Sequence, residues 1–301
     1  MTSHSIAQPE TFEACAPVGA RPVAPVKASL VYLRSIGVDA AHKVLKRRSR
    51  DRVLVEQDYD AGDWKREQAA AAWLLNPTLT DYAERAHLHR DLRVTVEGRL
   101  HTMPARSYYR YRRHRLASIM EEFAPDTPHL VELGSGTGAI VFELAATLPD
   151  KSFLGLDLSQ RGVEVARTIA DHYSVERAEF DRIDLLDPAS PGYQRLEGQT
   201  VYSHYCLEQL PRETESIFRN IVAAGAKRAI LIEPSFELLG MSSLRDLATW
   251  SYVLRQDYQR SIVQSARKLE AEGLIRIVET RRLDFVSSHR HFGTLLVFDR
   301  V

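Results

Sequence analysis

The stretch Val131-Glu132-Leu133-Gly134-Ser135-Gly136-Thr137-Gly138 constrains this chain more than any other. It closes the apolar run His129–Leu133 and opens a helical pattern over Ala139–Leu148. Three glycines at alternate positions let the main chain turn tightly and let a ligand approach the backbone without meeting a Cβ. The first N–H groups of the following helix have no intrahelical acceptor, so they face whatever sits on the turn. A strand, a glycine turn and a helix in this order belong to parallel α/β sheets, whose ligands lie outside the carboxyl ends of the strands.

The chain after Pro128 continues in the same manner. Ser152–Leu156, Arg182–Leu185, Thr200–Tyr205 and Arg228–Ile232 are short strand-like runs, and helical stretches are expected over Ser159–Tyr173, 212–223 and 242–272. Such alternation predicts βαβ units on a mostly parallel sheet. The last two strand-like runs, Leu274–Phe285 and Thr294–Val301, are about eight residues apart. That gap is too short for a crossover helix, so this pair is expected to be antiparallel.

Ahead of this region the pattern is different. Residues 1–26, rich in Ala and Pro, read as a flexible segment. Residues 27–106 read as a mainly helical cap, with helices expected from Asp39 to Arg48, from Asp63 to Leu75 and from Thr80 or Asp81 to near His87. Leu92, Val94 and Val96 alternate before Gly98, which predicts a hairpin reaching Leu100. The α/β domain is taken as 107–301. Its first helix is expected over 107–123 with Ser107 as N-cap and Leu116, Ile119, Met120 and Phe123 on one face.

Composition narrows the function classes. The 301 residues carry 40 Lys plus Arg and 40 Asp plus Glu. Zero net charge argues against a surface built throughout for a polyanion. Residues 1–127 hold 20 basic and 16 acidic side chains, and residues 128–301 hold 20 and 24, so a +4 zone precedes a −4 zone and the two are expected to attract. Two cysteines, Cys15 and Cys206, are too few for a disulfide scaffold and suit a reduced, cytoplasmic setting. The longest apolar run, Ala69–Leu75, is far short of the ~20 residues a membrane span needs, and the start of the chain lacks a signal-peptide pattern.

Two further acids complete the turn. Asp157 ends the second expected strand, 19 residues past Gly138, where an acid can accept hydrogen bonds from a ribose. Asp184 ends the third, beside where an adenine would lie. Gly134-x-Gly136-x-x-Ala139 formally fits a dinucleotide fingerprint. However, Glu132 two residues before the first glycine, the G-x-G-x-G run and the antiparallel end of the sheet together resemble the class I S-adenosylmethionine-dependent methyltransferases, over roughly residues 110–301. The resemblance implies a Rossmann-like seven-stranded sheet with its last strand antiparallel and inserted between neighbours. It implies S-adenosyl-L-methionine as cofactor, held by Glu132, Gly134, Ser135, Gly136 and Gly138, with Asp157 and Leu158 at the ribose and Asp184 and Leu185 at the adenine. Ser203 falls in the loop that runs along the methionine part, and Tyr109 or Arg112, on the helix before the first strand, would reach the cofactor's carboxylate.

The acceptor side is read from the ends of the later strands. His204 and Tyr205 can accept or direct a proton, and Glu233 can hold an acceptor amine or hydroxyl, or cap the next helix. His289 and His291 fall in the loop between the last two strands, on the ligand side, as substrate-site candidates. Two His at this spacing without a third ligand do not make a metal site, and none is expected. Methyl transfer asks mainly that an acceptor lone pair be aligned with the methyl carbon, so the lack of a nucleophile dyad is consistent with it.

The resulting expectation is an enzyme methylating N or O of a small-molecule acceptor, in secondary metabolism. Three alternatives stay open: an enzyme that transfers or cyclises the aminocarboxypropyl arm and releases methylthioadenosine, as in azetidine-2-carboxylate formation; an RNA methyltransferase using the basic runs Lys43–Arg52 and Arg106–Arg115; and a cofactor-binding protein without catalysis. Expected partners are the acceptor and at most a second copy of the chain in a homodimer, with neither membrane nor nucleic acid.

Overall fold

The computed structural model describes residues 17–45, 71–210, 214–240, 242–283, 285–286, 288 and 292–301. Arg21–Pro22 (β1), inside the stretch expected to be flexible, pairs with Arg99–Pro104 (β3), which pairs on its other side with Asp91–Val96 (β2). The β2–β3 turn is Glu97-Gly98, and both residues take the positive φ that a two-residue I′ turn requires. The first helix, α1 (Pro25–Leu45), is longer than expected and Asp39 lies inside it rather than capping it. The reason is tertiary: the buried Asp39 carboxylate pairs with Arg255 at 2.9 Å and accepts from Ser251 Oγ at 3.1 Å, so it does not compete for the backbone. The expected helix from Asp63 falls mostly outside the described residues; its end, Ala72–Leu75, is a single 3₁₀ turn.

Helix α2 (Leu79–Ala83) is capped by Thr78, not by Thr80 or Asp81, because Thr78 Oγ1 accepts from the Asp81 N–H at 3.1 Å. Helix α3 (Ala105–Phe123) starts two residues before the expected Ser107 cap, directly at the end of β3. There the Ala105 N–H donates to Arg90 O at 2.9 Å, and the cap position is taken by Pro104, which offers no side-chain acceptor. Leu116, Ile119, Met120 and Phe123 are buried as the periodicity requires.

The α/β region contains β4 (His129–Leu133), α4 (Ala139–Ala145), β5 (Ser152–Asp157), α5 (Gln160–His172), β6 (Ala178–Arg182), β7 (Thr200–His204), α6 (Thr214–Ala223), β8 (Arg228–Glu233), α7 (Leu244–Gln256), α8 (Ile262–Ala271), β9 (Ile275–Leu283) and β10 (Gly293–Arg300). The strands form one sheet in the order β6-β5-β4-β7-β8-β10-β9, with β10 inserted antiparallel between β8 and β9 and the rest parallel. One expectation shifts: β6 ends at Arg182, so Ile183, Asp184 and Leu185 form the turn beyond it. In this edge strand Ala178 and Phe180 point inward while Glu179 and Arg182 are exposed, so charges hide the strand in the sequence. The stretch 242–272 divides into α7 and α8 after Asp257, whose φ of 55° ends α7 in the left-handed region.

Alternation along the strands builds two cores. Leu130, Phe153, Tyr202, Ile230 and Val297 pack on one face with Leu116, Met120, Phe142 and Val163 of α3, α4 and α5. Val131, Leu133, Leu154, Val201, Leu231 and Phe298 pack on the other with Ile217, Phe218, Ala266 and Leu269 of α6 and α8. Each such side chain contributes roughly 1.5–3 kcal/mol on burial, so the sheet is fixed from both sides and its carboxyl ends form a rigid rim. A smaller cluster of Tyr32, Leu100 and Ala248 joins α1 and β3 to α7. No described helix is long and apolar enough to cross a membrane.

Candidate active site

The glycine turn leaves the end of β4 with φ of 76° at Gly134, 54° at Gly136 and 79° at Gly138. The N–H groups of Gly134 and Ser135 both donate to Leu156 O, at 2.7 and 3.0 Å, which ties the turn to the end of β5. A Cβ on Gly134 would overlap Cys206 Sγ, and one on Gly138 would sit 2.8 Å from the Phe142 and Phe180 rings. Those two glycines therefore admit close packing. Gly136 instead faces the cavity, and its N–H donates to Asp157 Oδ2 at 2.8 Å, while Asp157 Oδ1 accepts from the Ser159 N–H at 2.8 Å. Asp157 thus ties the turn together at the wall of the cavity, where a carboxylate is an acceptor-only group.

Above this turn lies a cavity of about 330 Å³. Glu132, Gly134, Ser135, Gly136, Asp157 and Leu158 line one side of it; Asp184 and Leu185, with Ile183 and Leu186, form a partly apolar end. His204, Tyr205, Cys206, Gln209 and Leu210, from the end of β7 and the loop after it, line another side. Arg85, Tyr109 and Arg112 reach in from the residues preceding β4. Asp184 is stabilised by its own turn: its N–H donates to Ser190 Oγ at 2.9 Å and its Oδ1 accepts from the Leu186 N–H at 3.0 Å.

A nucleoside cofactor fits this lining. Ser135 Oγ lines the cavity, is buried, and has no hydrogen-bond partner among the described residues, which is costly unless a ligand supplies one. Asp157 offers paired acceptor oxygens, and Ile183, Leu185 and Leu186 offer an apolar slot for a flat base. Among the described residues no group of three or more His, Cys, Asp or Glu is placed to hold a metal.

Burial dominates the electrostatics. It pushes the Glu132 carboxyl well above the usual range against a hydrogen bond from Tyr202 OH at 3.3 Å, and the nearby Asp157 and Glu143 push the same way. His204 is pushed well below its ordinary value by burial and by the charge of Arg112, so it is a neutral ring near pH 7. Tyr205 and Cys206 are both held well above their ordinary values, chiefly by burial, so neither is an anionic nucleophile here. Tyr205 also has φ of 55°, a left-handed conformation rarely adopted by a bulky residue.

Arg112 is fixed by the buried Glu143 of α4, which takes its Nε at 3.0 Å and its Nη2, and its guanidinium lies 4.8 Å from the Tyr109 ring. Arg85 lies over the same ring at 5.8 Å.

Of the residues singled out in the sequence, Glu132, Gly134, Ser135, Gly136, Asp157, Leu158, Asp184, Leu185, Tyr109, Arg112, His204 and Tyr205 line this one cavity. Gly138, Ser203 and Glu233 do not. Gly138 packs against Phe142 and Phe180, as above. Glu233 is buried behind the loop that follows β7, where it accepts from Ser203 Oγ at 2.7 Å and from the Cys206 and Glu208 N–H groups at 3.0 and 3.3 Å. His289 and His291 lie outside the described residues. Arg85 and Gln209 were not singled out; neither sits in a motif, and only the folded chain brings them to the cavity.

The basic run at 106–115 is engaged internally. Arg106, Arg110 and Arg113 all donate to the buried Glu84, and Arg115 lies over the Phe285 ring. Residues 46–52 of the other run lie outside the described residues.

Residues 131–231 match the family model described as Methyltransferase domain. A release factor glutamine methyltransferase of Vibrio cholerae is 36% identical over 63 residues, 21% of this chain and 22% of that protein. That of Aliivibrio fischeri is 29% identical over 77 residues, 25% of this chain and 27% of that protein. The chain thus spans about a quarter of the length of these curated relatives.

Among solved structures, a geranyl diphosphate methyltransferase in complex with GPP and sinefungin aligns with a TM-score of 0.50 at 13% identity, covering 75% of this chain and 95% of that one; this likeness shows the fold. Magnesium protoporphyrin IX methyltransferase from Synechocystis PCC 6803 with bound SAH aligns with a TM-score of 0.47 at 18% identity, covering 65% of this chain and 85% of that one. The matched stretch runs from β4 through the glycine turn to β8, so the likeness to a methyltransferase domain rests on the elements that build this cavity.

Proposed function

We propose that the chain transfers a methyl group from S-adenosyl-L-methionine to N or O of a small-molecule acceptor. The observation that carries this reading is one continuous cavity that runs from the glycine turn to the end of β7, with Arg85, Tyr109 and Arg112 on a further side. A concave site of this volume suits a small molecule, whereas a polymer needs an extended groove. When bound, the cofactor supplies a methyl group already activated on a sulfonium sulfur. Ser135, Asp157, Asp184 and Leu185 would hold its nucleoside, and Glu132, Tyr109 and Arg112 its amino-acid part. His204, neutral near pH 7, offers a ring nitrogen that takes or passes a proton, and Tyr205 helps keep water out of that end of the cavity. A cytoplasmic setting and a place in secondary metabolism belong to the same proposal.

The size of the space favours a second reading. About 330 Å³ is at the low end of the ~300–1,000 Å³ of small-molecule sites, enough for one cofactor-sized guest. An enzyme that uses the cofactor's own aminocarboxypropyl arm needs no second guest. The nucleoside product separates the two. Incubation of the protein with S-adenosyl-L-methionine and fractionated small-molecule extract is expected to yield S-adenosylhomocysteine. Methylthioadenosine would replace the first reading by the second. Turnover only with added RNA would overturn both, and binding without either nucleoside would make the protein a non-catalytic binder.

A further inference from the structure

Glu233 has no share in the cavity lining, yet it touches the segment that forms one side of it. Its carboxylate stands at the carboxyl end of β8 and is 1% exposed. Oε1 accepts from Ser203 Oγ at 2.7 Å and from the Cys206 N–H at 3.0 Å; Oε2 accepts from the Glu208 N–H at 3.3 Å. The segment it gathers, 203–208, contains His204, Tyr205 and Cys206, all of which line the cavity. Within that segment Tyr205 holds a left-handed φ of 55° and Cys206 Sγ closes on Gly134 of the cofactor turn. A conformation of this kind persists only where its surroundings over-determine it. On the pairing strand β10, the residue opposite Glu233 is the uncharged Thr294.

We propose that Glu233 is a positioning residue: its ionised carboxylate holds residues 203–208 in the shape that completes the cofactor and acceptor cavity, and protonation releases that segment. The inference deepens the methyltransferase reading and rests on it for the identity of the cavity. Burial raises the Glu233 carboxyl to about 7, although the hydrogen bonds from Ser203, Cys206, Leu207 and Glu208 pull it back down. The titratable groups that face it are Tyr205, Cys206 and Glu208, with Asp157 and Glu132 beyond Cys206. A protonated carboxyl carries its own O–H, so one oxygen that accepts an N–H would become a donor facing a donor. The bonds to Cys206 and Glu208 are therefore strongest above pH 7 and weaken below it.

Amide hydrogen exchange of the full-length protein, corrected for intrinsic rates, tests this without a ligand. The Cys206 and Glu208 amides are expected to gain about tenfold protection between pH 6 and pH 8, while amides of β4 stay level. In Glu233→Gln the same amides should be poorly protected and flat with pH. S-adenosylhomocysteine should bind Glu233→Gln about tenfold more weakly than wild type at pH 8 and about equally at pH 6. Equal, pH-independent protection in wild type would overturn the proposal, as would a Glu233→Gln protein with wild-type protection. If Glu233→Gln fails to fold, the wild-type pH profile alone decides, and Glu233→Asp should show the same transition at lower protection. Wild type that binds no S-adenosylhomocysteine at any pH, but shows the exchange transition, would overturn the cofactor assignment and leave the Glu233 device standing.

Discussion

Asp157 performs two tasks at one position. It fixes the turn through Gly136 N–H and Ser159 N–H, and it lines the cavity. Asp157→Ala removes both, so S-adenosylhomocysteine affinity is expected to fall at least a hundredfold, or about 3 kcal/mol, with the circular dichroism spectrum unchanged. Calorimetry that finds wild-type affinity in the folded variant would remove Asp157 from the site. Gly136→Val acts on the same turn by a different cause. A φ of 54° costs a β-branched residue on the order of 1–3 kcal/mol, and the turn it would distort lines the cavity. Loss of binding with a modest drop in Tm is expected, the reverse of the pattern for a core substitution.

At the scale of elements, the junction of α2 and α3 depends on Glu84. It is fully buried and takes hydrogen bonds from Arg106 at 2.9 Å, Arg110 at 2.8 Å and Arg113 at 3.0 Å. Burial raises this carboxyl, but the three guanidinium groups outweigh it and bring it down to about 2. A depressed folded pKa means the unfolded chain binds the proton first. The stabilisation is thus complete above the ordinary carboxylate range near 4.5 and is lost as pH falls toward 2. Because Arg106 and Arg110 are about half exposed, the effect is on the order of 2 kcal/mol rather than the full shift. Glu84→Gln should lower stability near neutral pH and flatten its dependence between pH 4.5 and 2; denaturant unfolding across that range measures both. An unchanged slope would place the acid sensitivity elsewhere.

The same elements show what could be read before folding. β4, β5 and β8 and the turn after β4 are legible because buried parallel strands are continuous apolar runs and the turn needs its glycines. β6 is displaced because Glu179 and Asp181 occupy the face opposite Ala178 and Phe180 and Arg182 ends the strand, so charge masks it and Asp184 falls in the following turn. Asp39 looks like a cap, and only its distant partner Arg255 shows why the helix passes through it. Glu233 stands at the strand end where a ligand would bind, but its hydrogen bonds turn it away from the cavity toward the β7 loop. Arg85 enters the cavity from a residue with φ of 51° between α2 and β2, a placement with no periodic signal.

At the scale of the whole molecule, the basic first zone and the acidic second zone do not meet simply as opposite charges. Arg112 of the first pairs with Glu143 of the second, but Asp39 and Glu122 of the first pair with Arg255 and Arg281 of the second. The seam between α1 and α7 is therefore local chemistry, an apolar contact of Tyr32, Leu100 and Ala248 beside a buried ion pair, rather than a long-range field. This seam joins a helix near the start of the chain to one beyond residue 243, so the N-terminal elements are closed over by the far end of the chain.

Asp39 is 1% exposed and Arg255 is its charged partner at 2.9 Å, so removal of either leaves a buried or half-buried charge unpaired. Such losses cost about 3–5 kcal/mol for a buried pair, and replacement of both charges costs much less. Arg255→Ala, which strands the more deeply buried Asp39 carboxylate, is therefore expected to destabilise more than Asp39→Ala, and the double variant to be more stable than the sum of the singles by about 1–3 kcal/mol. Neither residue lines the cavity, so S-adenosylhomocysteine affinity should be unchanged in all three. Because the pair is buried and close, its coupling should survive 0.5 M salt, where a zone-wide attraction would be screened out. Additive losses in the double-mutant cycle, or a coupling that vanishes with salt, would show that the zones are held by the field of their net charges after all.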